Sequence, residues 1–230
     1  MKPSRLVLFD IDGTLISTNG DGVRAMMEAY ASIWNCDPES VEYSMSGKTE
    51  YQISHELLGL LGFSETEVNA GLPEFFRRYP KALHRHLSPQ RTRVYPGVAQ
   101  LVAELAADPG VVLGLLTGNC EEAARIKMEV AGLRGFAVGA YGEHHAERAE
   151  LPALAIAAAE AATGIRFSGR EVLLIGDTPN DIRAARLSGA RSMAVATGRF
   201  TVAELAAHEP TYVFDTLAAV DAVHAAIRSD

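Results

Sequence analysis

Apolar residues fall along this chain in two rhythms. Unbroken runs at 6–9, 111–116, 172–175 and 192–195, with a further one at 136–140, are β-branched or leucine-rich and bounded by polar or turn residues. Short runs without alternation predict strands buried on both faces. Between them, 98–107, 121–131, 151–163 and 181–188 space their apolar residues three and four apart, as helices with one buried face do. Gly132, Gly164 and Gly189 stand just past three of these segments, where a left-handed residue can end a helix. Strand and helix alternate from residue 94 onward, which predicts an α/β fold with a doubly wound parallel sheet.

The stretch 18–94 breaks that rhythm. It carries helical patterns at 22–34, 50–61 and 65–86 and no strand pattern. The reading is a helical domain at 18–94 inserted into a core made of 1–17 and 95–230, with Pro89 and Pro96 marking the return.

Composition narrows the function without choosing it. Of 230 residues, 48% are hydrophobic and 22% charged, an ordinary balance for a globular protein with a real core. A formal charge of −8 argues against nucleic acid as a partner, since a phosphate backbone demands a basic face; a small anionic substrate needs only local positive charge. Cys36 and Cys120 form no CxxC pattern, which fits a reduced, cytoplasmic setting. Only four apolar residues separate Arg5 from Asp10, too few for a signal sequence, and no later apolar run predicts a membrane span.

The candidate chemistry gathers where strands end. The run 6–9 leads into Asp10, with Asp12 two residues on; 111–116 leads into Thr117-Gly118-Asn119; 172–175 leads into Gly176-Asp177, with Asp181 four residues later. In a parallel sheet these ends share the edge at which ligands bind. Carboxylates converging there repel one another unless a cation lies among them, and an all-oxygen set suits Mg²⁺. Asp10 and Asp12 alone read as ordinary loop acids, and the other two strand ends give them weight. Asp181 equally suits the first turn of a helix, where the dipole favours an acid.

Phe9-Asp10-Ile11-Asp12-Gly13-Thr14-Leu15, Leu115-Leu116-Thr117-Gly118-Asn119 and Ile175-Gly176-Asp177-Thr178-Pro179-Asn180-Asp181, in this order, resemble the first, second and fourth motifs of the haloacid dehalogenase-like hydrolases. The likeness covers the core, and 18–94 is similar in position and helical character to the C1 cap of the phosphoglycolate-phosphatase-like branch. The resemblance implies a Rossmann-like core and a Mg²⁺-dependent phosphatase acting on a small phosphorylated metabolite. Asp10 would attack phosphorus and become an aspartyl-phosphate, while Asp12 would protonate the leaving alcohol and later deprotonate water. The Asp10 side chain, the Asp12 backbone carbonyl and Asp177 would hold Mg²⁺, with Asp181 orienting Asp177 or a water of the metal. Thr117 and the N–H groups of Gly118 and Asn119 would bind phosphoryl oxygens.

The third motif departs from the family pattern, which usually offers a lysine. Here the region reads Glu147-Arg148-Ala149-Glu150-Leu151-Pro152, so Arg148 is the first candidate for the cation beside Asp10 and Lys127 its rival. In the insertion, Gly47, Lys48 and Thr49 form a candidate specificity loop, Lys48 being able to reach a substrate carboxylate. Arg77, Arg78, Lys81, Arg85, Arg91 and Arg93 read first as a solvated face and second as a lure for an anion. Cys120 reads as a small apolar filler, and His144 and His145 as surface residues.

Other chemistries compete. Asp12 and Asp177 speak against a carbon–halogen hydrolase, and a phosphonate-cleaving enzyme would need Lys48 or Lys81 to form a Schiff base. A phosphomutase of the same superfamily keeps the acid pair and stands as the alternative. Gly20-Asp21-Gly22-Val23-Arg24-Ala25 fits a dinucleotide-binding GxGxxA, yet it begins eleven residues after Phe9 instead of in the turn that follows the first strand.

Overall fold

The computed structural model describes residues 4–143 and 145–229. In chain order its strands are β1 (Arg5–Phe9), β2 (Ile16–Ser17), β3 (Arg93–Val94), β4 (Val111–Leu116), β5 (Val138–Ala140), β6 (Val172–Gly176), β7 (Arg191–Val195) and β8 (Tyr212–Phe214). Six of them form one sheet in the order β5-β4-β1-β6-β7-β8, with every neighbouring pair parallel.

Alternation along the strands sends successive residues to opposite faces. Val7, Phe9, Leu113, Leu115, Leu173 and Ile175 pack beneath α4 (Val98–Ala107), α5 (Glu121–Ala131) and α9 (Val220–Arg228). Leu6, Leu8, Val112, Leu116, Val172 and Leu174 pack beneath α6 (Leu151–Thr163) and α7 (Pro179–Ser188). Both faces are therefore covered, which is why 6–9, 111–116 and 172–176 hold no polar side chain. An acidic residue at 7 or 8 would be buried whichever way it pointed and would unfold the sheet.

The helices α1 (Asp21–Trp34), α2 (Glu50–Leu60) and α3 (Glu65–His86) build a separate apolar cluster. Its centre is a stack in which Phe75 lies 4.6 Å from the Tyr30 ring and 5.4 Å from that of Tyr79. α5 belongs to both layers. Ala123 and Ile126 join the helical cluster, whereas Ala124 and Met128 join the sheet cluster. One helix thus fixes the helical layer against the sheet edge.

The structure adds elements that the apolar pattern did not announce. Arg93–Val94 pairs antiparallel with Ile16–Ser17, so a strand lies inside the stretch read as purely helical. Two residues are too few to carry a period. The edge strand β8 spans three half-buried residues, and α8 (Val202–Ala206) a single short turn and a half. α7 starts at Pro179, two residues before the expected start, because Thr178 caps it in a reciprocal hydrogen-bond pair with Asp181.

Candidate active site

Strand register brings the three reactive ends together. Phe9 pairs with Leu115 of β4 and Ile175 of β6, so Asp10 leaves the sheet beside Leu116 and Gly176. Its N–H still donates to the Ile175 carbonyl at 2.9 Å, which fixes the backbone under the carboxylate. The next turn needs glycine: Gly13 has φ +87°, and a Cβ there would lie 2.3 Å from Asp177 Oδ2.

Asp10, Asp177 and Asp181 are all buried and bring oxygens within 4.8 Å of one another. Arg148 reaches them from a single 3-10 turn, Arg148–Glu150. Its Nη2 lies 2.8 Å from Asp10 Oδ1, and its Nε and Nη2 donate to Asp181 Oδ1 at 2.9 and 2.7 Å. The other Asp181 oxygen accepts from the Thr178 N–H and hydroxyl at 3.1 and 2.7 Å. Asp181 is therefore engaged in holding Arg148 and capping α7. Among the described residues, the Asp177 carboxylate accepts a hydrogen bond from the Thr14 hydroxyl alone, at 3.3 Å.

Three carboxylates against one guanidinium leave the site net negative in a place that solvent hardly reaches. Burial pushes Asp10 up to about 6, aided by Asp181 and Asp12 and opposed by Arg148. Burial also holds Asp177 well above the usual carboxylate range, with Asp10 and Asp181 adding to the effect. Burial works against the charge on Arg148, but Asp10 and Asp181 overcome it and raise the guanidinium further.

Asp12 belongs to a second hydrogen-bond system. Lys127, buried on α5, donates to Asp12 Oδ2 at 2.6 Å and to Asn119 Oδ1 at 2.5 Å. Asn119 Nδ2 donates to the same Asp12 oxygen at 2.8 Å and to Thr117 Oγ1 at 2.7 Å. The Asn119 N–H also points at Thr117 Oγ1, at 3.3 Å, so the Thr117 proton is left for another acceptor. The two rival cations thus sit in one cavity beside different acids.

The helical layer supplies the opposite wall of a cavity of about 360 Å³, with Met26, Met45, Ile53 and Tyr79 among its lining. Gly47 and Lys48 line the cavity and the buried Thr49 does not, and all three are largely committed. The Gly47 carbonyl accepts from Asn180 Nδ2 at 2.9 Å, and Thr49 caps α2 through the Gln52 N–H at 3.0 Å. Lys48 Nζ meets Glu56 at 2.5 Å and the Tyr43 hydroxyl at 3.1 Å. The loop rests directly on the second strand end, where a Cβ on Gly118 would fall 2.1 Å from the Lys48 carbonyl.

Glu50 is a site residue that the sequence did not flag. It is buried, its N–H donates to the Gly118 carbonyl, and Oε2 accepts from the Cys120 N–H, both at 2.8 Å. Burial pushes it up to about 7, and nearby Lys127 pulls the other way. An acid at a helix start reads as a dipole partner, and nothing in its neighbours announces burial.

The basic run faces elsewhere, and none of its six residues lines the cavity. Arg77 and Arg78 hold Glu74, Arg85 holds Glu28, and Arg91 reaches Asp21 at 2.9 Å. Cys120 is buried, and burial pushes its thiol up, away from nucleophilic use. His145 pairs with Glu150 at 2.9 Å on the surface, while His144 lies outside the described residues.

With the geometry in place, the comparisons agree on the class. The chain belongs to the haloacid dehalogenase-like hydrolases, whose family pattern matches residues 4–189. It is 28% identical to the Dickeya dadantii protein named "Probable phosphatase IndB", over 99% of this chain and 96% of that one. It is 29% identical to Phosphoglycolate phosphatase 1 of Pseudomonas aeruginosa, over 93% of this chain and 77% of that one. A hydrolase from Pseudomonas syringae shares the fold with a TM-score of 0.69 at 18% identity, over 98% of this chain and 100% of that one. No helix among the described residues is long and apolar enough to cross a membrane.

Proposed function

We propose that the chain is a Mg²⁺-dependent phosphatase that hydrolyses the phosphate monoester of a small metabolite through an aspartyl-phosphate on Asp10, with 18–94 serving as a cap over a core of 1–17 and 95–230. The observation that carries this reading is the separation of two neighbouring acids into different settings. Asp10 lies in a buried, acid-rich cluster with Arg148, whereas Asp12 stands at the cavity in its own bonded system.

The donor set fits a hard divalent cation. Asp10 and Asp177 offer oxygens in a buried site whose one guanidinium leaves negative charge over, and the Asp12 carbonyl follows on the same loop. When bound, Mg²⁺ would neutralise that charge and draw the phosphate into line with Asp10. Asp181 supports the set from behind by holding Arg148.

The residues themselves then divide the work. An Asp10 oxygen attacks phosphorus as the bond to the alcohol oxygen breaks, and Asp12 gives that oxygen its proton. Water next attacks the phosphorylated Asp10, losing a proton to Asp12 as the bond between phosphorus and the Asp10 oxygen breaks. The Thr117 hydroxyl, the Gly118 N–H and Arg148 bind phosphoryl oxygens and spread their charge. The Asn119 N–H is turned toward Thr117, which makes Asn119 a support for that hydroxyl.

Turnover of 4-nitrophenyl phosphate tests the reading. Activity should vanish with EDTA, return with Mg²⁺, and be absent from Asp10→Asn protein of unchanged circular dichroism. Turnover retained by Asp10→Asn refutes the assignment.

A further inference from the structure

We propose that Lys127, with Asn119, is a positioning residue for Asp12: the pair holds one carboxylate oxygen still, so that the other meets the leaving group. The inference rests on the phosphatase reading above and gives Lys127 a task separate from binding phosphate.

Three observations carry it. The Lys127 ammonium is buried, a costly placement unless its donors are used, and two of them are: one on Asp12 Oδ2 at 2.6 Å and one on Asn119 Oδ1 at 2.5 Å. Asn119 closes the arrangement by donating to the same Asp12 oxygen at 2.8 Å. That oxygen thus receives two donors from two directions, which fixes the rotamer of a side chain that is otherwise 43% exposed.

The lysine is itself held. Its neighbours Ile126 and Met128 are buried in the helical and the sheet clusters respectively, so the backbone at 127 is clamped from both layers. α1 passes close over the ammonium, since a Cβ on Gly22 would lie 3.6 Å from Nζ. Arg148 meanwhile occupies the place beside Asp10, at 2.8 Å, that a phosphate-binding lysine would need.

Leaving groups separate this task from its rivals. An aryl phosphate leaves with little need of a proton, whereas an alkyl phosphate depends on the acid. Lys127→Met should lower kcat/KM, which reports the leaving-group step alone, about 100-fold on an alkyl ester, taken from a panel of polyol and sugar phosphates, and about tenfold less on 4-nitrophenyl phosphate. The inhibition constant of inorganic phosphate should stay within about twofold. Lys127→Arg, which keeps a donor, should recover part of the alkyl turnover. Equal losses on both esters would make the role merely structural and overturn the proposal. So would a tenfold weaker inhibition by phosphate, which would make Lys127 a phosphate ligand. A wild type that turns over neither ester removes the phosphatase reading and the positioning role with it.

Discussion

On the sheet wall of the cavity, Asp10, Asp177 and Asp181 share one guanidinium, and burial raises two of them. On the facing helical wall, charges are matched locally: Lys48 lies on Glu56, and Asp21 takes both Arg24 and Arg91. The rest of that wall mixes apolar Met26, Met45, Ile53 and Tyr79 with polar Thr18, Asn19, Ser46 and Glu50. Its charges are largely paired within the layer, with the Asp21 Oδ2 and Glu50 Oε1 oxygens as buried exceptions. The sheet wall is unsatisfied as it stands, and this marks it as the place where a cation and a phosphoryl group would be stabilised. The helical wall encloses the cavity from the other side.

The comparison breaks first at Asp10. Asp10→Asn keeps the shape of the sheet wall but removes its nucleophile, so aryl phosphate turnover should fall at least about 10³-fold in steady-state kinetics. Next in size is Arg148→Ala, which leaves three buried carboxylates without their cation. Urea unfolding without metal should show a loss of about 3–5 kcal/mol. Arg148→Lys keeps the charge but cannot fork between Asp10 and Asp181, and should fall in between.

The placement of the sheet-wall acids was largely legible in the sequence, because buried parallel strands announce themselves as short apolar runs and their ends must then share an edge. Asp10, Thr117 and Asp177 follow from that rule alone. The sequence also points to Arg148 as the cation beside Asp10, where it lies. Its second partner, Asp181, and the bond of Lys127 to Asp12 were not legible, since a 3-10 turn and a helix face give no sign along the chain of which acids they meet. Glu50 escaped because burial of an acid arises from tertiary packing, here the seating of the α2 start on Gly118 and Cys120. The β2–β3 pair and β8 are too short to show a period. α9 is a different case: Val220, Val223, Ala226 and Ile227 carry a helical spacing that was there to be read.

Glu50 is an exception on the helical side, and pH exposes it. Its folded-state value of about 7 stands above the ordinary 4.5, so the folded chain holds this proton more tightly than the unfolded chain. The stability gained is complete below about 4.5 and is lost as pH rises through about 7. Asp10 acts with the same sign, between about 3.8 and 6. Thermal unfolding of metal-free protein should therefore show Tm falling between pH 5 and 8, and Mg²⁺ should raise Tm at the upper end. Glu50→Gln removes one source of the slope and should gain up to about 3 kcal/mol on the wild type at pH 8. An unchanged slope in that variant would mean that Glu50 meets solvent.

The smallest effect belongs to Lys48, whose place in the cavity lining suggested a hand for a substrate carboxylate. Its ammonium already has Glu56 at 2.5 Å, the Tyr43 hydroxyl at 3.1 Å and the Tyr43 ring at 4.3 Å. A substrate anion would have to displace the Glu56 carboxylate, exchanging one like interaction for another with little net gain. The pair is partly exposed, at 23% and 41%, so its loss should cost no more than about 1 kcal/mol of stability. Lys48→Ala should accordingly change KM for carboxylate-bearing and neutral phosphate esters by the same factor, about twofold or less. A tenfold rise confined to the carboxylate-bearing ester would show that the helical wall reads charge after all, and that its internal pairing gives way to substrate.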